Sequence, residues 1–189
     1  MPGAQLPVSS YAVLGLLSQS EASGYVLAQQ VDGAIANFWP MSKSNIYGEL
    51  VRLEELAFVS GSEVAQEKLP TKRVFRLTSA GAAALDEWLR EPTFRKERRK
   101  NSLLVKMLFG DRLSAEEVSR LVDAAGVEAE AERARLATIV TMLESVPSAY
   151  FARSTALFGL RHAEATLAWA AEMRRDAAAR ARTRSSSLN

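Results

Sequence analysis

Apolar side chains return every third or fourth residue through most of this chain, and the places where that rhythm fails divide it into elements. Val13, Leu14, Leu16 and Leu17 give one face to a first helix over Ser9–Ser18. A polar break at Gln19–Ala22 leads to Ser23, an N-cap for a second helix in which Ala28, Val31 and Ile35 recur and Phe38 closes the stripe. Pro40 interrupts. Ser42 or Ser44 then caps a third helix whose inner row is Ile46, Leu50 and Leu53, extended by Leu56. Past Ala57 the period drops to two: Phe58 and Val59, a polar loop over Gly61–Lys68, Pro70, and a second run at Lys72–Leu77 predict a β-hairpin. Thr78 caps a fourth helix that buries Leu85, Trp88 and Leu89 and stops before Pro92. Three helices, a hairpin and a helix, with a short Pro-containing turn between the second and third, make the layout of a winged helix-turn-helix.

The second half is helical. Ser114 and Glu117 form a capping box that Leu113 and Val118 staple, and apolar positions continue to Leu143 through Leu121, Val122, Leu136, Ile139 and Val140. After Val146-Pro147, a last helix over Thr155–Arg182 carries two rows, one of Leu160, Leu167 and Ala171, the other of Phe158, Trp169 and Met173. The expected fold is mainly α with a small β-hairpin. Its parts are a winged helix-turn-helix domain at 1–92, a charged linker at 93–101, a helical domain at 102–183 and a disordered tail at 184–189.

Composition narrows this picture. With 189 residues the chain can bury a sizeable core without staples, and with no cysteine it has neither thiol chemistry nor disulfides. The opening MPGAQLPVSSYAVLGLLSQS has no basic leader, and its apolar run is far shorter than the roughly 18 residues of a membrane span. The expectation is a soluble, cytoplasmic protein with no membrane partner. The net charge of +2 conceals an uneven distribution. Residues 1–60 and 101–145 each carry net −3, while residues 61–100 and 146–189 each carry net +4.

Two stretches resemble the PadR family of bacterial transcriptional regulators. One runs from Trp39 to Tyr47 (WPMSKSNIY) with Leu50, Leu53 and Glu54; the other is RVFRLT at 73–78 with Gly81, Leu85 and Trp88. Ser23-Gly24-Tyr25 looks like the start of that family's second helix. LLVKMLF at 103–109, and Glu164-Ala165 with Trp169, resemble its long-tailed, Vir-like branch. The resemblance implies a homodimer built by C-terminal helices, a winged helix that binds operator DNA, and repression. One departure stands out: Ala57 occupies the position where the family usually has glycine after the third helix, so the turn into the wing is expected to be strained or reshaped.

In a helix-turn-helix the recognition helix enters the major groove tip first. Ser42, Lys43, Ser44, Asn45 and Tyr47 crowd that tip and are the candidate DNA contacts; Ser42 or Ser44 reads equally as a cap, and Tyr47 as a ring packed on the second helix. Lys68, Lys72 and Arg73 bracket Pro70 at the wing, where the hairpin tip lies along the sugar-phosphate backbone or in the minor groove, or is a solvated loop. Arg52 meets a phosphate or pairs with Glu49 or Glu55. Leu103, Leu104, Leu108, Leu136, Ile139, Leu143, Leu160, Leu167 and Trp169 are the dimerisation candidates, some of which must instead be intrachain core. Phe158 and Trp169 are candidate contacts for a small aromatic effector.

Other function classes find less support. The lone His162 has no paired cysteine, metal-ligand cluster or glycine-rich phosphate loop around it, so neither an enzyme nor a cofactor is expected. A winged helix that binds only protein partners is the alternative, and it predicts salt-insensitive behaviour.

Overall fold

The computed structural model describes residues 6–36, 38–65, 71–92 and 101–186. The chain divides into two units, residues 1–96 and 97–189.

In the first unit the apolar rows become helices α1 (Val8–Gln19), α2 (Gly24–Ala34), α3 (Lys43–Glu55) and α4 (Ser79–Arg90). Three caps are the residues that the sequence offers. The Ser23, Ser42 and Thr78 side chains accept from the backbone N–H of Val26, Asn45 and Gly81, satisfying donors that a first turn leaves without intrahelical partners. The core gathers Val13, Leu14 and Leu17 of α1, Leu27 and Val31 of α2, Ile46, Leu50 and Leu53 of α3, and Leu85 of α4. Two apolar rows are shorter than expected: α2 stops at Ala34 and leaves Phe38 exposed, and Leu56, past the end of α3, is exposed as well. Leu89 of α4 also faces solvent.

The hairpin pairs β2 (Val59–Val64) with β3 (Lys72–Leu77) in antiparallel register, Val59 opposite Leu77 and Val64 opposite Lys72. Gly61–Val64, expected in a loop, extend the strand, because a wing open to water on one side carries polar side chains as easily as apolar ones. A third strand, β1 (Ala22–Ser23), lies where a polar break was expected and pairs with Phe75 and Val74, giving the order β1-β3-β2. With this sheet beside α2 and α3, the unit is a winged helix-turn-helix.

The exit from α3 is tightly built. Ala57 adopts φ 55°, the left-handed region. Its N–H donates to the Glu54 carbonyl at 2.9 Å while the Phe58 N–H reaches the Leu53 carbonyl at 2.8 Å, the paired bonds of a Schellman turn. The glycine-type turn is therefore kept, and alanine bears its strain. The Phe58 carbonyl next accepts from the Thr78 N–H at 3.1 Å, and the Thr78 hydroxyl donates to the Ala57 carbonyl at 2.8 Å. Gly81 follows so closely that a Cβ there would collide with the Phe58 carbonyl oxygen.

In the second unit α5 (Ser102–Leu108) is capped by Asn101, a residue expected in the linker; residues 93–100 of that linker lie outside the described residues. Helix α6 (Ala115–Glu144) opens with the expected capping box: the Glu117 N–H donates to Ser114 Oγ at 3.2 Å, and the Ser114 N–H donates to the Glu117 carboxylate at 2.7 Å. A short 3-10 turn at Pro147–Ala149 leads into α7 (Tyr150–Ser186). That helix begins five residues earlier than expected and continues through residues 184–186 of the expected tail, as its alanine-rich composition favours; residues 187–189 lie outside the described residues. Helices α6 and α7 run antiparallel along a seam of small residues: Gly126 faces Ala170, Gly159 faces Leu136, and Arg174 pairs with Asp123 at 2.6 Å.

Candidate nucleic-acid interface

The first turn of α3 is organised by its own side chains. Ser42 Oγ accepts from the Asn45 N–H at 3.2 Å and donates to Asn45 Oδ1 at 2.6 Å. Of the two serines that could have capped the helix, Ser42 does so, and Ser44 sits exposed in the first turn. Lys43 and Asn45 are exposed too. Free backbone N–H groups and the positive end of the helix dipole add attraction for an anion at this tip.

Tyr47 packs on the second helix and still keeps about half of its surface in water. Its ring lies against the bare Cα of Gly24 in α2, yet the residue is 49% exposed. Beside it Tyr25, 57% exposed, holds Lys43 Nζ 5.8 Å from its ring centroid, within cation–π range. Tyr25 stands outside the DNA-contact candidates that the sequence suggests; its closeness to Lys43 comes from α2 meeting α3, which no local pattern reports.

The wing residues divide by strand alternation. Arg73 and Phe75 share the face turned towards α3, because side chains two apart lie on one side of a strand. Arg73, expected at the DNA backbone, therefore turns to Glu54, donating at 2.8 and 2.9 Å to its two oxygens, and its guanidinium lies 5.4 Å from the Phe75 ring centroid. The Gly61 N–H donates to the same carboxylate at 3.0 Å, so Glu54 ties both wing strands to the helix. Lys72 is exposed, and Arg76 pairs with Glu21. Lys68 and Pro70 lie outside the described residues.

Glu49 is a buried carboxylate that the amphipathic pattern gave no cause to expect. Ser9 and Ser10 of α1 donate to its two oxygens at 2.7 and 2.5 Å, the pairing that a buried charge requires. Arg52 stands 3.9 Å from it, realising the ion-pair reading. Arg52 also lines a cleft of about 670 Å³ with Tyr11, Leu56, Phe58 and Trp88, in which the Tyr11 and Trp88 rings stack at 4.6 Å.

Residues 13–87, which hold this tip and wing, match the transcriptional regulator PadR-like family, and residues 99–176 match the virulence activator alpha C-terminal family. Residues 13–87 thus carry a PadR-like family domain. The negative transcriptional regulator PadR of Bacillus subtilis is 32% identical over 114 residues, 60% of this chain and 63% of that one, so the match spans less than two thirds of the relative. The crystal structure of Bacillus subtilis PadR in complex with operator DNA has a TM-score of 0.82 at 27% identity, covering 90% of this chain and 99% of that one. The same regulator in complex with p-coumaric acid has a TM-score of 0.76 at 24% identity, with the same coverage.

The C-terminal unit sorts the dimerisation candidates. Leu136 and Leu160 are buried in the α6–α7 seam of a single copy and are intrachain core, because they fall on the row facing the other helix. Leu103, Ile139, Leu143, Leu167 and Trp169 are partly covered. Leu104 and Leu108 are exposed on α5, the latter at 76%, together with Val105 and Phe109, which sequence reasoning left out of the candidate set. Phe158 is 74% exposed; the cleft described on this unit, about 650 Å³, is lined by Val105, Phe109, Leu113 and Leu121 with Lys106, Arg112, Glu117 and Arg120. Among the described residues no His, Cys, Asp or Glu cluster could hold a metal ion, and no helix is long and apolar enough to cross a membrane.

Proposed function

We propose that this protein is a DNA-binding transcriptional regulator, a homodimeric repressor that binds a pseudo-palindromic operator, acts in the cytoplasm and has no catalytic activity. The observation that carries this reading is the exposed, self-capped tip of α3, with Lys43, Ser44 and Asn45 outermost and Tyr47 braced beside them, on a winged-helix frame. Ser42 organises the tip, Lys43, Ser44, Asn45 and Tyr47 meet base edges and phosphates, and Lys72 and Lys68 extend the contact along the backbone. Arg73 holds the wing through Glu54. The operator complex of the Bacillus subtilis relative supports this assignment, and that relative's description as a negative regulator supports repression.

One copy neutralises few phosphates and binds weakly; two on a two-fold axis make the second contact effectively intramolecular. The apolar residues that α5 leaves in water favour such pairing. The p-coumaric acid complex of the relative supports adding a small aromatic effector that relieves binding. The test is a mobility shift on duplexes selected from genomic DNA, repeated across a salt series and with a phenolic acid present. Affinity should fall steeply with salt, and the recovered motif should be an inverted repeat. A monomer that ignores duplexes at low ionic strength would overturn the proposal.

A further inference from the structure

Val51 sits in the middle of α3 and is 57% exposed, and Gly48, one turn before it, has nothing within 4 Å of where a Cβ would stand. Both weaken a helix relative to alanine, and neither adds to the core. A lone exposed valine on an ordinary surface needs no explanation. This one continues the row that Ser44 and Gly48 begin, at the spacing of three and four that keeps helical residues on one side. Glu55, one turn further, ends the row with a carboxylate that phosphates would repel.

Resting on the assignment of α3 to the major groove, we infer that Gly48 and Val51 form a thymine-reading step within the recognition helix. In that groove thymine alone among the unmodified bases presents an apolar group, its C5-methyl beside the O4 acceptor. The missing side chain of Gly48 lets base edges approach the helix backbone, and the Val51 isopropyl group packs on the methyl. An adenine or cytosine in that place would set its amino group against an apolar surface with no acceptor, so the same valine also selects against them. Seven residues separate Ser44 from Val51, about 10 Å along the helix axis, or roughly three base-pair steps. The thymine therefore lies about three base pairs from the base that meets the tip, once in each half-site. The polar tip reads hydrogen-bonding groups and the middle of the helix reads a methyl.

The test uses the full chain to enrich duplexes from a randomised library, then replaces each thymine of the enriched operator in turn by deoxyuridine, which keeps the pairing and O4 and removes only the methyl. With the wild-type protein one symmetry-related pair of positions should weaken binding, by roughly fourfold for each methyl lost. Val51→Ala should bind the thymine operator more weakly, lose sensitivity to deoxyuridine at that pair alone and melt no lower than the wild type, since the side chain is outside the core and alanine is the better helix former. Gly48→Ala should weaken operator binding while stabilising the helix. Insensitivity of the wild type at every thymine, or an unchanged deoxyuridine effect in Val51→Ala, overturns the inference. A library from which no duplex is enriched overturns the DNA-binding proposal and this inference with it, so the two failures are distinguishable.

Discussion

The ring of Tyr47 rests on Gly24 so closely that a Cβ built on that glycine would fall 2.5 Å from Tyr47 Cε1. The obstacle is a half-exposed ring that can swing away, so Gly24→Ala should fold with a loss of no more than about 1 kcal/mol. The swing, however, displaces the side chain beside the tip proposed to read the groove. Operator affinity is expected to fall by about tenfold, measured by mobility shift alongside thermal melting. Unfolding, or full affinity, would contradict this placement of the ring.

Ala57 bears a left-handed conformation that favours glycine. Ala57→Gly should stabilise the protein by about 0.5–1 kcal/mol, the strain relieved less the extra freedom glycine gains when unfolded. A higher urea midpoint at unchanged slope is the expected observation.

Gly81→Ala should do the reverse. The atom in its way is the Phe58 carbonyl oxygen, which the Thr78 N–H holds at 3.1 Å, so the backbone there has little room to yield. A destabilisation of about 3 kcal/mol is expected in urea denaturation.

Ser10→Ala removes a hydroxyl donated to Glu49 in the core. Leaving a buried carboxylate short of a donor should cost about 2 kcal/mol. Ser10→Thr, which restores the hydroxyl, should recover part of the loss if space for its methyl exists; equal losses in both variants would point to packing rather than the hydrogen bond.

Acid should weaken α6. The Ser114 backbone N–H, and then its hydroxyl, hold the Glu117 carboxyl below the usual glutamate range, and Arg133 and Arg135 do the same for Glu130 and Glu132 through side-chain hydrogen bonds. Carboxyls lowered in the folded state stabilise it above the unfolded-state value, and that contribution is lost as pH falls through the lowered one. Helical circular dichroism should melt at lower temperature at pH 3 than at pH 7, and less so in Glu117→Gln. An unchanged pH response in that variant would remove the capping box from the explanation.

What could be read from the sequence was local. Ser23, Ser42, Thr78 and Ser114 cap the helices that follow them because a cap joins residues three apart, and Ile46, Leu50 and Leu53 are buried because one helical face is enough to specify them. What escaped was set by distant partners. The two-residue β1 exists only because Phe75 and Val74 pair with it, and Glu49 is buried only because Ser9 and Ser10 arrive from about 40 residues away. Arg73 is an intermediate case. Its position two residues from Phe75 put it on the inner face of the wing, but nothing nearby in the chain named Glu54 as its partner.

The seam between α6 and α7 has a consequence for how this half of the molecule endures. Gly126, Ala129, Gly159, Ala163 and Ala170 line the seam, and Leu136 and Leu160 are the large side chains buried with them. The bulky side chains that would ordinarily fill such an interior, Val127, Met142, Phe151 and Phe158, are on the outside instead. On the proposed homodimer such a hairpin would be completed by its twin, and its persistence would then be a property of the company it keeps rather than of one chain.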